Sequence, residues 1–168
     1  MKQEIVRNFL EIKFLSDLNE VKRPEKSLNL IKSNDFQLNK FLYKQVGRKY
    51  SWIDRLVWPD QYWIKYFSKK NVYTYILRNK EDLVGYFELI FHENKKETEI
   101  SYFGILEEYF GKKMGGFLLS EAIKKSFLLN SKRVWVHTCS LDHQNGLKNY
   151  LSRGLKIFKS ESLKREIA

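Results

Sequence analysis

The stretch Tyr102–Leu119 constrains the fold more than any other part of this sequence. It joins an apolar strand ending, Tyr102–Leu106, to an apolar helix that begins near Phe117, through a glycine- and lysine-bearing turn at Gly111–Gly116. Backbone N–H groups at the start of a helix lack intrahelical partners, and the helix dipole gives that end positive character. Glycines let a phosphate approach the bare backbone. The stretch therefore predicts a pocket for a phosphate-bearing cofactor, the alternative being a tight turn without a ligand.

The length and composition predict one globular domain that spans residues 1–168. The chain is 43% hydrophobic and 15% aromatic, which is enough apolar material for a sizeable core. Its single cysteine, Cys139, excludes an intramolecular disulfide, and its three histidines form no metal-ligand pattern, so no metal site is expected.

No part of the sequence indicates a membrane or an export signal. No apolar run approaches the ~20 residues that a bilayer-spanning helix needs. The first residues, MKQEIVRNF, are too polar for the core of a signal peptide. We therefore expect no membrane partner and a cytoplasmic location.

The formal net charge of +11 allows two interpretations. A basic protein can bind nucleic acid, and the aromatic residues of Tyr50–Trp63 could stack on bases, so a basic nucleic-acid-binding module is one alternative. However, the lysines are spread through the whole chain without a single basic stripe. A solvated lysine-rich surface is therefore favoured and nucleic acid is an unlikely partner, while the charge also suits a polyanionic cofactor.

Strand and helix patterns follow one another along the chain, without a repeat or a linker. Apolar periodicity predicts strands at Glu4–Phe14, Leu28–Ile31, Asn71–Arg78, Leu83–His92, Glu97–Leu106, Arg133–Cys139 and Leu155–Ser160. Capping signals and helical spacing predict helices at Phe36–Val46, from Pro59 through Phe67, from near Phe117 to about Asn130, and at Gly146–Arg153. The strands on either side of the third helix should be parallel, because a strand–helix–strand crossover requires it.

Two segments carry motifs that resemble those of a known family. Phe110–Gly115 and His143–Leu155 are similar to the two signatures of the GNAT family, the Gcn5-related N-acetyltransferases. Tyr150 and Gly154 keep the spacing of the second signature, and the run VWVHTCSLDH resembles a stretch in some small bacterial members. The resemblance implies an α/β (α+β) fold, with a mixed, mostly antiparallel central sheet flanked by helices and a splay between the family's fourth and fifth strands.

The resemblance also implies acetyl-CoA as the cofactor. Its pantetheine arm would bind the backbone of the family's fourth strand, and its pyrophosphate would bind N–H groups of Gly111–Gly116, the anion site inferred above. The cofactor-binding residues expected in this way are Phe103, Gly104, Ile105, Gly111, Lys112, Lys113, Met114, Gly115, Gly116, His143, Asn145 and Tyr150.

Acetyl transfer to an amine needs a group that accepts a proton. An amine near pKa 10 is mostly protonated at neutral pH and cannot attack a thioester in that form. Glu88 and Glu99 lie in adjacent predicted strands and are the expected bases, with His137 as a third candidate. We expect Glu88 to share a strand face with Val84, Tyr86 and Ile90.

Glu99 is slightly favoured as the base over Glu88. It is expected to share its face with Glu97, Ser101 and Phe103, and so to point to the same side as Phe103.

By resemblance, Tyr150 would protonate the departing thiolate, and the N–H of Ile105 or a neighbour would stabilise the oxyanion of a tetrahedral intermediate. The expected activity is therefore direct acetyl transfer to a small-molecule or peptide amine. A non-catalytic CoA-binding protein is the alternative, because Phe110 and Lys113 replace the Arg or Gln and the first glycine of the family motif. Cys139 with a nearby histidine is a weak nucleophile candidate, and homodimer formation stays open.

Overall fold

A seven-stranded sheet forms the centre of the computed structural model, which describes residues 1–167. Its strands are β1 (Lys2–Ile12), β2 (Leu28–Lys32), β3 (Val72–Asn79), β4 (Asp82–His92), β5 (Glu97–Ile105), β6 (Arg133–Cys139) and β7 (Lys156–Glu166). The helices are α1 (Phe36–Gly47), α2 (Asp60–Phe67), α3 (Met114–Leu128) and α4 (Gln144–Arg153). Two short 3₁₀ turns, Leu15–Asp17 and Glu107–Tyr109, complete the described elements.

The strands lie in the order β2-β3-β4-β5-β6-β1-β7. Every neighbouring pair is antiparallel except β5 and β6, which are parallel and joined through α3. The mixed, mostly antiparallel sheet flanked by helices is therefore confirmed. The amino-terminal strand β1 lies between β6 and β7, a position that local sequence patterns did not predict.

The sheet is buried by helices on both faces. On one face, α3 packs Leu118, Leu119 and Ile123 against strand residues such as Leu10 and Val136. On the other face, a smaller cluster forms under α1. The cluster under α1 is smaller than the core under α3. Strands β6, β1 and β7 are therefore less covered on the α1 side of the sheet.

Most local signals define the element ends as expected. The Asp35 carboxylate accepts hydrogen bonds from the N–H groups of Gln37 and Leu38, which begins α1. Gly154 adopts a left-handed conformation (φ 109°) that ends α4. The largest differences are at α3, which begins at Met114 instead of near Phe117, and at β7, which continues to Glu166 instead of ending at Ser160. Several other ends shift by one or two residues.

Two bulges change which side chains share a face. In the β4–β5 pair, Glu88 lies opposite Tyr102 and Leu89 opposite Ile100, so Ser101 is the extra residue. One extra residue moves every later side chain to the other face. Ile100 and Phe103 therefore both contact the α3 core, and the expectation that Glu99 shares a face with Phe103 is wrong.

A second bulge lies in the β3–β4 pair. Leu77 lies opposite Gly85 and Arg78 opposite Leu83, which leaves Val84 as the extra residue. Val84 contacts the α3 core, whereas Tyr86 belongs to the cluster under α1. The expected shared face of Val84 and Tyr86 is therefore wrong.

No helix within residues 1–167 is long and apolar enough to cross a membrane.

Candidate active site

The cleft opens where β5 and β6 separate. The two strands pair only along Glu97–Glu99 and Arg133–Trp135, and beyond these residues they diverge. The resulting cleft has a volume of about 700 Å³ and is lined by β5, the start of α3, β6, the start of α4, and the loop between α1 and α2. The expected splay is therefore present, between the fifth and sixth strands in this chain's own order.

The β5 side of the cleft offers backbone hydrogen-bonding groups. The N–H of Leu106 donates to the carbonyl of Val84 in β4 (2.8 Å). Successive N–H groups of an extended strand point in opposite directions, so the N–H groups of Ile105 and Phe103 point away from β4 and toward the cleft. Both residues line the cleft, where β6 is too far away to pair with them.

The start of α3 lies at one end of the cleft. Lys113 precedes the helix in a left-handed conformation (φ 64°, ψ 9°), and its carbonyl accepts the first helical hydrogen bond from Phe117 (3.2 Å). The side chain of Lys113 does not cap this end of α3. The N–H groups of Met114, Gly115 and Gly116 in the first turn therefore lack intrahelical partners, as an anion site requires.

The glycines of this region serve different purposes. A Cβ on Gly115 would make only ordinary contacts, the closest at 3.6 Å to Asn149, so packing does not demand glycine there. A Cβ on Gly116 would lie 2.5 Å from Arg153 and 2.8 Å from Val21, so that glycine is needed for packing. Likewise, a Cβ on Gly104 would lie 2.1 Å from Val46 of α1.

The opposite wall of the cleft is the start of α4. His143 caps this helix, because its Nδ1 accepts a hydrogen bond from the N–H of Asn145 (3.0 Å). The imidazole contacts the ring of Phe110 edge-on, with centroids 4.9 Å apart, and also approaches Tyr50. Two of the residues that depart from the family signatures, Phe110 and His143, are thus in contact across the cleft.

Tyr150 lies on α4 and points into the cleft. Its side chain is largely buried and approaches Phe103, with ring centroids 6.2 Å apart. Burial, followed by the nearby negative charge of Asp142, raises the pKa of Tyr150 above the usual value for a phenol. The phenol is therefore protonated at neutral pH and can donate a proton.

Glu99 and Glu88, the two expected bases, lie in different environments. Glu99 lines the cleft, and its Oε1 lies 3.0 Å from Nε2 of His92, the last residue of β4. The imidazole of His92 stacks on Trp135, with ring centroids 6.2 Å apart. The Glu99 carboxylate is thus held at the cleft by a partner that reaches solvent.

Glu88 is fully buried and is not among the cleft-lining residues. Arg55 donates to both of its carboxylate oxygens, at 2.7 and 2.9 Å, and Tyr66 and Ser101 donate to it as well. Five aromatic rings surround this guanidinium, contributed by Tyr43, Trp58, Trp63, Tyr66 and Tyr102. Glu88 is therefore the centre of a satisfied internal ion pair.

Most of the expected site residues meet in the cleft. Of the expected cofactor-binding residues, all except Lys112 line the cleft, where Glu99 lies as well. The Lys112 ammonium instead approaches the ring of Tyr109. His137 and Cys139 line the cleft too, and burial together with the positive charge of Arg7 lowers the pKa of His137.

Sequence reasoning missed three charged residues of the cleft. Arg7 and Arg165 line it from β1 and β7, and Asp142 lines it from the loop before α4. The two arginines are far apart in the chain and occur in strands whose pairing partners no local pattern reveals. No signal in the sequence alone could have identified them.

Solved structures share this fold at low sequence identity. A functionally unknown conserved protein from Staphylococcus epidermidis ATCC 12228 has a TM-score of 0.66 and 18% identity, covering 99% of this chain and 64% of that one. A GCN5-related N-acetyltransferase from Kribbella flavida has a TM-score of 0.67 and 12% identity, covering 97% and 58%. The chain thus spans roughly three fifths of the length of these proteins.

A third structure is closer in length. An aminoglycoside acetyltransferase from an uncultured soil metagenomic sample has a TM-score of 0.65 and 13% identity, covering 78% of this chain and 90% of that one. No curated protein matches the sequence. The family model described as acetyltransferase (GNAT) family matches residues 37–154, which include β5, α3, β6 and α4. The chain belongs to the GNAT acetyltransferase family.

Proposed function

We propose that this protein is an acetyl-CoA-dependent N-acetyltransferase that transfers the acetyl group directly to an amine. One observation carries the proposal above the others. The cleft between β5 and β6 ends on the uncapped first turn of α3, where Gly115 exposes bare backbone although packing would accept a side chain. This arrangement suits a ligand that is extended at one end and anionic at the other.

The residues present fit such a ligand. The backbone of Phe103 and Ile105 offers strand-like hydrogen bonds to a pantetheine arm, in the part of the cleft that β6 leaves unpaired. The N–H groups of Met114, Gly115 and Gly116, with the ammonium of Lys113 beside them, suit the pyrophosphate. When bound, acetyl-CoA supplies the thioester whose acetyl group is transferred.

We assign the proton acceptor to Glu99. Its carboxylate faces the cleft, whereas that of Glu88 is occupied by Arg55, Tyr66 and Ser101. A base must reach the proton that it removes, directly or through one water molecule. Glu88 thus has a structural role in this scheme.

We assign the proton donor to Tyr150 and the oxyanion donor to the N–H of Ile105. The phenol of Tyr150 is buried at the cleft and retains its proton at neutral pH, since its pKa is raised. A thiolate leaving group accepts a proton from a donor at hydrogen-bonding distance. The N–H of Ile105 points away from β4 and is free to stabilise developing negative charge.

The function is tested by binding and turnover together. Isothermal titration should show acetyl-CoA binding to the protein, and a screen of amines with free-thiol detection should show acetyl transfer. Replacement of Tyr150 by Phe should lower kcat by about 10²-fold or more while affinity for acetyl-CoA changes little. The exposed Tyr62, replaced by Phe, serves as the matched control.

The outcomes separate the alternatives. Absence of binding at millimolar acetyl-CoA would refute both the enzyme and a non-catalytic CoA-binding protein. Binding without transfer to any amine would favour the non-catalytic protein. Unchanged turnover of the Tyr150→Phe variant would remove Tyr150 as the acid.

A further inference from the structure

Two arginines reach the cleft from the open half of the sheet. Arg7 lies opposite Cys139 in the β1–β6 pair, and Phe9 lies opposite His137 in the same pair. Leu10 and Ile12 of β1 contact the α3 core, so the alternation along the strand directs Arg7 and Phe9 to the other face. Glu99 also lies on this face, because its neighbours Thr98 and Ile100 are buried on the α3 side.

Arg165 reaches the same region from β7. Its Nη2 donates to the carbonyl of Ser51 (3.1 Å) and lies 3.4 Å from the carboxylate of Asp54. Arg165 therefore crosses from the last strand to the α1–α2 loop. We name the group of charged residues on this side of the cleft, namely Arg7, Asp54, Glu99 and Arg165, the acceptor mouth.

Within residues 1–167, the hydrogen-bonding capacity of Arg7 is only partly used. Its nearest acidic partner is Glu161, with Nη1 and Oε1 3.6 Å apart, which exceeds the usual distance of a charge-assisted hydrogen bond. The Nε–H is buried and has no hydrogen-bond partner among residues 1–167. A buried donor of a charged group without a partner is unfavourable, and such donors usually have a ligand or water.

Arg55 is an arginine of the same protein whose guanidinium has strong internal partners. It makes two short hydrogen bonds to Glu88 and is enclosed by aromatic rings. Among residues 1–167, Arg7 and Arg165 have no such bidentate partner, and both line the cleft, as Arg55 does. The two arginines thus have donors to spare at the place where an acceptor would enter.

We propose that the acceptor is an amine that also carries a carboxylate, such as an amino acid or a short peptide. Arg7, aided by Arg165, binds the carboxylate, while Asp54 and Glu99 attract the ammonium group. A guanidinium matches a carboxylate in shape and can bind both of its oxygens. This inference rests on the proposed N-acetyltransferase function and names the substrate class of the same site.

The electrostatic environment of His137 agrees with this arrangement. The positive charges of Arg7 and Arg165 both act to lower the pKa of this imidazole, after the larger effect of burial. Because the imidazole stays neutral, it does not compete with the two arginines for an incoming carboxylate. Asp54 and Glu99 can attract one ammonium group, but the further positive charges of a polycation would lie beside Arg7 and Arg165, so we expect aminoglycosides to be poor substrates.

Matched acceptors test the proposal. Each amino acid is compared with its carboxamide and with its decarboxylated amine, and the series glycine, β-alanine, 4-aminobutyrate and 6-aminohexanoate varies the distance between the two groups. At least one amino acid should have a kcat/KM about 10- to 100-fold above that of its carboxamide, the range of a charge-assisted hydrogen bond. Equal rates for acids, amides and simple amines, or a preference for polyamines, would overturn the proposal.

Variants assign the preference to the arginines. Arg7→Gln should lower kcat/KM for the carboxylate-bearing acceptor about 10- to 100-fold, mainly through KM, and leave the carboxamide within about twofold. Arg165→Gln is the second variant, which keeps the test valid if the first is poorly folded. Lys164→Gln removes a neighbouring exposed charge from the same strand. It should leave kcat/KM unchanged for both the carboxylate-bearing acceptor and its carboxamide.

A binding measurement separates this proposal from the proposed function. Titration with N-acetylglycine in the presence of CoA should shift the NMR signal of the Arg7 Nε–H, and N-acetylglycinamide should not. If no amine is acetylated but this shift occurs, the acetyltransferase function fails and the carboxylate site stands. If amines are acetylated, and neither N-acetylglycine nor the N-acetyl derivative of the best amino-acid acceptor shifts the signal at tens of millimolar, the carboxylate site is refuted and the acetyltransferase function stands.

Discussion

At the scale of single residues, Lys113 combines a backbone cost with a charge beside the anion site. A left-handed conformation is unfavourable for lysine, and the family motif has glycine at this position. Lys113 also lines the cleft beside the first turn of α3, where we propose that the pyrophosphate binds. The conformation therefore lowers the stability of the fold, whereas the charge should strengthen the binding of an anion.

Replacement of Lys113 by Gly should separate these effects. The free energy of unfolding should rise by about 1 kcal/mol, since glycine adopts this conformation without steric cost. Affinity for acetyl-CoA should fall severalfold through the lost charge. Urea unfolding and isothermal titration measure the two changes.

Lys96 provides the control, because it is also left-handed (φ 52°) but lies in the β4–β5 turn, outside the cleft. Lys96→Gly should stabilise the fold without altering acetyl-CoA binding. Equal effects of both variants on binding would show that the ammonium of Lys113 does not contact the cofactor.

Glu88 illustrates how a residue suited to catalysis can be structural. Glu88→Gln leaves the Arg55 guanidinium buried with an incomplete partner, and breaking a buried ion pair costs about 3–5 kcal/mol. We expect a loss of that size in urea unfolding. Glu107→Gln removes an exposed ion pair with Lys49 and should leave the unfolding midpoint nearly unchanged. A fully stable Glu88→Gln variant that lacks activity would instead make Glu88 the base.

At the scale of elements, the start of α3 distinguishes two adjacent glycines. Gly115 has room for a Cβ, whereas a Cβ on Gly116 would overlap Arg153 and Val21. The element therefore contains one glycine that suits a ligand and one that the fold itself needs. Sequence alone treats both as parts of one turn.

The two positions predict opposite phenotypes. Gly115→Val should weaken acetyl-CoA binding about tenfold or more by covering the backbone, since a Cβ there makes only ordinary contacts. Gly116→Ala should destabilise the fold by about 1–3 kcal/mol through overpacking. Titration calorimetry and thermal unfolding of both variants test this, and unchanged binding by Gly115→Val would show that the phosphates bind elsewhere.

At the scale of the whole molecule, β1 holds the open half of the sheet together. It pairs with β6 on one side and with β7 on the other, and its Leu10 and Ile12 are buried in the α3 core. By contrast, β7 is an edge strand whose residues are mostly exposed. The two terminal strands thus contribute unequally to stability.

Truncations should reveal this difference. Deletion of residues 2–12 should abolish cooperative unfolding, because β6 and β7 lose their shared neighbour and the core loses apolar residues. Deletion of residues 162–167 should leave a folded domain that unfolds cooperatively at a lower temperature. Circular dichroism during heating measures both, and a cooperative transition after removal of β1 would contradict the assigned role.

Local sequence signals were sufficient to predict most of the helices and strands and about half of the residues of the candidate site. The Asp35 cap, the Gly154 stop and the spacing between the Gly111–Gly116 turn and Tyr150 are short-range features with direct backbone consequences. The bulge at Ser101 has no such signal, and it placed Glu99 on the opposite face from Phe103. A single inserted residue is invisible to periodicity because apolar side chains occupy both faces of this strand.

By itself, the sequence determined the order of elements, the family and the position of the glycine-bearing start of α3, because each depends on residues close together in the chain. Only the tertiary structure decided that β1 lies between β6 and β7, which brings Arg7 and Arg165 to one cleft from opposite ends of the chain. It also decided that Glu88 forms a buried ion pair with Arg55, whereas Glu99 lines the cleft. Strand pairing and ion pairing over such separations depend on the packing of the whole core, which no local pattern encodes.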